Sequence, residues 1–183
     1  DSSSLTPEVK VFKGIDTLLF DVQDIGARYY TFIYTMANCM KVCKEAGVRL
    51  VVCDRPNPIN GMQVEGNLVL EDQRSFVGQY PLLIRHGMTA GELAQLFKDE
   101  FGLDCDLKVV PMEGWKREMW YDETGLPWVA PSPNMPTLDT AIVYPGMCLI
   151  EGTHLSEGRG TTQPFELVGA PYIDSAMLAN ELN

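Results

Sequence analysis

Thr17-Leu-Leu-Phe-Asp-Val22 and Val48-Arg-Leu-Val-Val-Cys-Asp54, with residues 27–46 between them, decide the fold. The first stretch is short and apolar, bounded by Gly14 before it and Gly26 after it, and reads as a buried strand. Between the two, Tyr30, Ile33, Tyr34, Ala37, Met40 and Val42 recur at helical spacing, and Gly47 stands where a helix stops. The later stretch reads as a second buried strand. Strand, helix and strand with short joints form a βαβ unit, whose strands run parallel through a right-handed crossover. The fold class is therefore α/β.

Beyond Asp54 the pattern changes. Arg55-Pro-Asn-Pro-Ile-Asn-Gly61 is turn chemistry throughout. Residues 63–70 suggest a short strand. Thr89-Ala-Gly-Glu92 is a capping box opening a helix to about residue 101, with Gly102 as its stop. Residues 106–111 read as a third strand, 115–136 as irregular and 137–144 as a short helix. Asp174 suits the N-cap of a helix still running at Asn183. A chain that starts without methionine and ends inside a helix is expected to be a piece of a longer protein. There is no internal repeat.

The 183 residues amount to one domain or most of one, and an apolar fraction of 45% is enough for a sizeable core. No apolar run reaches the roughly 18 residues of a membrane span. A net charge of -11 argues against nucleic acid as a partner, because a phosphate backbone demands a basic surface. Cys39, Cys43, Cys53, Cys105 and Cys148 are odd in number and contain no Cys-x-x-Cys. They are expected to be buried free thiols rather than a metal site.

In an open α/β sheet, ligands bind beyond the carboxyl ends of the strands. Two polar clusters fall at such ends, Asp21-Val-Gln-Asp-Ile-Gly-Ala-Arg28 and Asp54-Arg-Pro-Asn57. Parallel neighbouring strands would put both on one rim, as a pocket bearing Asp21, Asp24, Asp54, Arg28, Arg55, Gln23 and Asn57. The alternative is that Asp21 and Asp54 cap helix ends or pair with the arginines; that two adjacent strands end the same way favours the pocket. No Gly-x-Gly-x-x-Gly follows the first strand, and there is no P-loop and no Gly-x-Ser-x-Gly elbow. Neither His86 nor His154 has a metal-ligand partner at close spacing. Carboxylate chemistry remains, as in glycoside hydrolysis. Trp115, Trp120, Tyr121 and Trp128 suit either sugar stacking or a satellite core. The run Glu151-Gly-Thr-His-Leu-Ser-Glu-Gly-Arg-Gly-Thr-Thr-Gln-Pro-Phe-Glu166 gathers acids, Arg159, hydroxyls and glycines that let a backbone approach a ligand closely.

Several phrases together resemble one family. They are Phe20-Asp-Val-Gln-Asp-Ile-Gly-Ala-Arg-Tyr-Tyr-Thr31, Asp54-Arg-Pro-Asn-Pro58, Ser75-Phe-Val-Gly78, Ile84-Arg-His-Gly-Met-Thr89 and Pro131-Ser-Pro-Asn-Met135. Tyr144-Pro-Gly146 and the run from Glu151 through Gly-Arg-Gly-Thr161 to Pro164-Phe-Glu166 complete the set. In that order they resemble the exo-β-N-acetylmuramidase NamZ family, formerly a domain of unknown function. The resemblance implies a Rossmann-like, mostly parallel sheet flanked by helices, with part of a second, smaller domain. Residues 1–136 would form the first domain, and residues 137–183 the start of the second or a cleft-lining segment.

It further implies a bacterial glycoside hydrolase that releases N-acetylmuramic acid from the non-reducing end of peptidoglycan fragments. The family also carries an upstream Pro-Glu-His-Gly segment with a candidate catalytic glutamate. This chain does not contain it, so the fragment alone is expected to hold half a site.

Candidate catalytic residues are Asp21, Asp24 and Glu151. Candidate substrate-binding residues are Gln23, Arg28, Tyr30, Asp54, Arg55, Asn57, Arg85, His86, Asn134, Arg159 and Thr161. Arg159 or Arg28 is expected to bind the lactyl carboxylate of muramic acid, which wants a fork of donors. No cofactor, metal or membrane-spanning segment is expected, and the partners are muramyl saccharides. The location is expected to be extracytoplasmic: periplasmic, lipoprotein or secreted. Two alternatives stand beside this reading: a non-catalytic cell-wall sugar-binding module, and a metal-dependent hydrolase built on Asp21, Asp24 and Asp54.

Overall fold

The computed structural model describes residues 5–182. Three strands, β1 (Thr17–Phe20), β2 (Arg49–Cys53) and β3 (Leu107–Val110), form one parallel sheet in that order. Leu18 stands beside Leu50, and Leu50 beside Leu107. Helix α1 (Phe32–Ala46) joins β1 to β2, and helix α2 (Ala90–Asp99) precedes β3. The class is α/β, as the βαβ pattern predicts.

Both helices pack with the sheet in a single apolar core. Ile33, Tyr34, Met36 and Met40 of α1 meet Leu93 and Phe97 of α2 over Phe20, Leu50 and Val52. Each such side chain contributes on the order of 1.5–3 kcal/mol when fully buried. Alternation puts the next residues on the other face, where Leu19 is 66% exposed. The strands are thus half-buried, and the expectation of strands buried throughout is corrected. β1 also stops at Phe20, because Asp21 already belongs to the loop that follows.

Helix α1 starts at Phe32, not within the loop before it. Ala27 and Tyr30 are buried all the same, so their spacing reports burial and not helix. Gly47 ends α1 in the left-handed conformation, its N–H donating to the carbonyls of Cys43 and Lys44. α2 carries the expected capping box: Glu92 N donates to Thr89 Oγ1 at 3.2 Å, and Thr89 N donates to Glu92 Oε2 at 3.0 Å. It ends at Asp99, and Phe101 stacks on Tyr80 from outside the helix, at 4.8 Å between centroids.

Residues 63–70 form no strand. Only Glu65 pairs, in an antiparallel bridge to Arg85. Gly66 follows at φ 83°, a left-handed turn that takes the chain out of extended pairing. Residues 115–136 are irregular apart from a single 3-10 turn at Tyr121–Thr124.

The chain packs as two compact units, Asp1–Leu126 and Pro127–Asn183. In the second, α3 (Leu138–Met147) starts where Thr137 Oγ1 accepts from Thr140 N, and runs past residue 144 through Pro145. Tyr144 and the buried Phe165 meet edge to face, centroids 4.7 Å apart. Helix α4 (Ser175–Leu182) is capped by Asp174, whose Oδ1 accepts from Ala176 N and Met177 N. Its expected continuation at Asn183 lies outside the described residues. All five cysteines are free; Cys39, Cys43 and Cys105 are buried, while Cys53 and Cys148 are only half-buried, against expectation. Among the described residues no helix is long and apolar enough to cross a membrane.

Candidate functional site

β1, β2 and β3 all point their carboxyl ends at one edge of the sheet, and a cavity of about 450 Å³ lies there. Asp21 enters it from the end of β1, Asp54 and Arg55 from the end of β2, and Glu113 from the segment after β3. Trp115, Met119 and Leu126 of the irregular segment close it. This is the placement expected for a ligand site of a parallel sheet.

Asp21 Oδ1 accepts from Arg55 Nε at 2.7 Å. Both side chains stay accessible, Asp21 at 54% and Arg55 at 36%. Asp54 is tied differently. Its Oδ1 accepts from Gly91 N at 2.7 Å and Arg55 N at 3.0 Å, and its Oδ2 accepts from Thr89 Oγ1 at 3.0 Å. The carboxylate thus sits on the N-terminus of α2, where backbone donors and the helix dipole favour negative charge. Gly91 makes this possible, since a Cβ there would stand 2.8 Å from the carboxyl carbon of Asp54.

Several candidates turn inward instead. Asp24 is 5% exposed; its Oδ2 accepts from Gly26 N at 2.7 Å. His86 Nε2 stands 3.2 Å from the same oxygen, off the direction of a hydrogen bond. His86 Nδ1 accepts from Met88 N at 3.1 Å, which places the imidazole proton on Nε2. Asn57 is 2% exposed and holds Met88 O and Ile59 N. Arg28 Nη1 donates to the carbonyls of Asn67 and Leu82. Arg85 pairs with Glu65, donates to Ile59 O and lies over Trp120. Gln23 Nε2 donates to Pro56 O at 2.8 Å. Tyr30 packs edge-on against Phe32 at 4.8 Å. The expected open rim pocket is therefore corrected. Asp24, Arg28, Asn57, Arg85 and His86 tie loop segments to one another, and of the rim cluster only Asp21, Asp54 and Arg55 line the cavity.

The second unit holds its own polar cluster. Arg159 donates from Nε to Glu151 Oε1 at 2.7 Å, pairs with Glu157 at 3.2 Å and lies over the Phe165 ring at 4.8 Å. Burial works against its charge, but the hydrogen bond and charge of Glu151, with Tyr144 and Glu157, outweigh that and hold Arg159 above its ordinary pKa. Cys148 Sγ donates to Glu151 Oε2 at 3.7 Å. Burial pushes that thiol up to about 11. Thr161 closes a turn, its Oγ1 donating to Gly158 O at 2.6 Å. Asn134 sits half-buried in the turn before Met135. Trp128 Nε1 donates to Met135 O, and Glu166 accepts from Thr137 and Thr140.

Two residues escaped the sequence reading. Arg117 Nη1 donates to Gly87 O at 2.8 Å and Gly61 O at 3.3 Å, while Nη2 pairs with Glu92. Glu113 lines the cavity. Neither sits in a motif. Glu92 was the one available signal, because a capping glutamate with a second oxygen to spare invites an arginine. Tyr34, read as core, is also electrostatically coupled: burial raises its hydroxyl pKa well above the ordinary value, and Arg28 and Asp24 act on it as well.

Residues 2–139 match the family model described as exo-beta-N-acetylmuramidase NamZ, N-terminal, and residues 142–183 match its C-terminal counterpart. The chain is 55% identical over 177 residues to a Bacillus subtilis (strain 168) protein named peptidoglycan beta-N-acetylmuramidase NamZ, covering 97% of this chain and 43% of that one. A crystal structure of a DUF1343 family protein from Bacteroides fragilis NCTC 9343 superposes with a TM-score of 0.89 at 41% identity, over 97% of this chain and 47% of that chain. A second from the same organism gives 0.84 at 38% identity, over 92% and 48%. The chain thus spans about half the length of the relatives it matches.

Proposed function

We propose, on the premise that this chain belongs to the exo-β-N-acetylmuramidase NamZ family, that the protein carrying it is a glycoside hydrolase acting on peptidoglycan fragments and releasing N-acetylmuramic acid from their non-reducing ends. The observation that carries this reading is the cavity at the carboxyl edge of the sheet. It combines an accessible carboxylate, a guanidinium and an indole, Asp21, Arg55 and Trp115. Carboxylates and arginines hydrogen-bond sugar hydroxyls, and an indole face covers the apolar side of a pyranose ring.

Of the three candidate catalytic residues, only Asp21 lines the cavity, and its exposed carboxylate supports a role in contact with sugar. Asp24 is buried beneath the loop, and Glu151 is engaged by Arg159 and Cys148. The metal-hydrolase alternative fits poorly. Asp21 faces a guanidinium, Asp24 a backbone N–H, and Asp54 three donors, so none presents a ligand pair to a divalent cation. An extracytoplasmic location in a bacterium follows from where wall fragments arise, and is part of this proposal.

The test uses the longest chain that carries this sequence. It is incubated with a chromogenic β-N-acetylmuramic acid glycoside and, in parallel, with the matching N-acetylglucosaminide. Release from the muramide alone is the expected result. Release from neither, with sugar binding retained, would replace the hydrolase by a sugar-binding module.

A further inference from the structure

We infer that the cavity at the strand ends receives an uncharged sugar ring, the one on the leaving-group side of the scissile bond, and not the carboxylate-bearing muramic ring. The inference rests on the muramidase reading and deepens it.

Charge decides between the two rings. The cavity wall carries three carboxylates, Asp21, Asp54 and Glu113, against the single guanidinium of Arg55. That guanidinium is already paired, Nε to Asp21 at 2.7 Å. A lactyl carboxylate placed here would meet three like charges in the lining, and like charges brought close disfavour ionisation. Three further arginines that the sequence offers as forks or that lie near the rim are already engaged. Arg28 is held by two carbonyls, Arg85 by Glu65 and Ile59 O, and Arg117 by Glu92 and two carbonyls.

A neutral hexosamine finds complementary groups on the same wall. Its hydroxyls donate to carboxylate oxygens, and Asp21 and Glu113 are both exposed. Pro56, Met112, Met119 and Leu126 give an apolar wall around Trp115. Trp115 Nε1 is buried with no hydrogen-bond partner, a donor that a ligand oxygen would satisfy. The volume of about 450 Å³ lies within the ordinary range for small-molecule sites, ~300–1,000 Å³. Next to muramic acid in peptidoglycan stands N-acetylglucosamine, which is uncharged.

The experiment compares two substrates of the full-length protein. One is the disaccharide of N-acetylmuramic acid β-linked to N-acetylglucosamine; the other is methyl N-acetyl-β-muramide, which has no second ring and no aromatic leaving group. Trp115→Ala is expected to lower kcat/KM on the disaccharide about tenfold, the scale of one lost aromatic contact, and to leave the methyl glycoside within about twofold. Trp115→Phe, which keeps an aromatic face, is expected to recover most of the loss. An equal fall on both substrates would overturn the inference, by giving Trp115 to the muramic ring or to folding. No fall on either would remove the cavity from the substrate path. Wild-type inactivity on both would instead overturn the muramidase reading, and this inference with it.

Discussion

Asp21 Oδ1 and Arg55 Nε meet at 2.7 Å across the ends of two neighbouring parallel strands. Register brings them together: Phe20 pairs with Val52 on adjacent strands, so the residues just past each strand end share one rim. An ion pair this exposed contributes only about 0–1 kcal/mol to stability. Its position at the cavity, more than its energy, is what gives it a use.

Asp21→Asn is therefore expected to leave the unfolding midpoint nearly unchanged while lowering kcat/KM on a muramyl disaccharide about 10- to 100-fold. That is the loss of one charge-assisted hydrogen bond, on the order of 1.5–3 kcal/mol. Steady-state kinetics beside a thermal melt would check it. Loss of activity together with loss of fold would show that Asp21 is structural.

The rim was legible because strand ends are. Two short apolar runs ending in Asp21 and Asp54, joined by a helical stretch, specify a parallel pair without any tertiary knowledge. What lies under the rim was not legible. Asp24, Asn57 and Arg28 read as part of an open polar cluster and Arg85 as a substrate-binding residue, yet each is drawn inward by backbone carbonyls or N–H groups of residues 26, 59, 67, 82 and 88. A polar side chain beside a strand end serves a ligand or an irregular loop equally well, and sequence does not show which loop lies beneath it. Residues 63–70 failed for a related reason: a stretch that suggests a strand forms one only where a partner strand exists.

Gly26 marks the tightest of these loops. Its φ is 83°, and a Cβ there would meet Asn57 Oδ1 at 2.5 Å and Ile59 Cγ1 at 2.7 Å. Gly26→Ala should cost about 1–3 kcal/mol for the backbone conformation alone, with the clash in addition. Chemical denaturation would read this as a lowered midpoint with unchanged slope. A neutral result would mean that the Asp24–Gly26 turn does not hold the loop.

Arg117 links three segments that are far apart in sequence: residues 61 and 87 through their carbonyls, and Glu92 through an ion pair. Arg117→Ala leaves Gly87 O without its donor and is expected to destabilise the first unit by about 1–3 kcal/mol. Arg117→Lys should recover little, because an ammonium cannot fork between two carbonyls and a carboxylate. If lysine restored full stability, only the charge would matter.

Cys43 predicts an alkaline limit. Burial, then the nearby thiols of Cys105 and Cys39, push it from its ordinary value of 9.0 up to about 11. In the unfolded chain the thiol ionises first, so the unfolded state holds fewer protons than the native state in that window. Stability is fully present below pH 9.0, and falls as pH rises towards about 11. Cys39 and Cys105 are raised in the same direction, chiefly by burial. Iodoacetamide at about pH 8 should spare all three in the native protein and label them after unfolding, since the thiolate is the reactive form. Mass spectrometry of the labelled peptides would show it, and rapid native labelling of Cys43 would contradict its burial.

Arg159 is the residue for which sequence and structure part most sharply. In the sequence it is a free fork for the muramyl carboxylate. In the structure it already spans Glu151 and Glu157 and lies over Phe165. A guanidinium satisfied by two carboxylates has little left for a third. Glu157 is only 12% exposed in its side chain, so removing Arg159 leaves a largely buried carboxylate without countercharge. Arg159→Ala is expected to destabilise the second unit by about 1–3 kcal/mol and to leave the preference for muramide over glucosaminide unchanged. The ratio of kcat/KM on the two chromogenic glycosides, measured where the variant remains folded, separates the roles. A collapse of that ratio would return the carboxylate to Arg159.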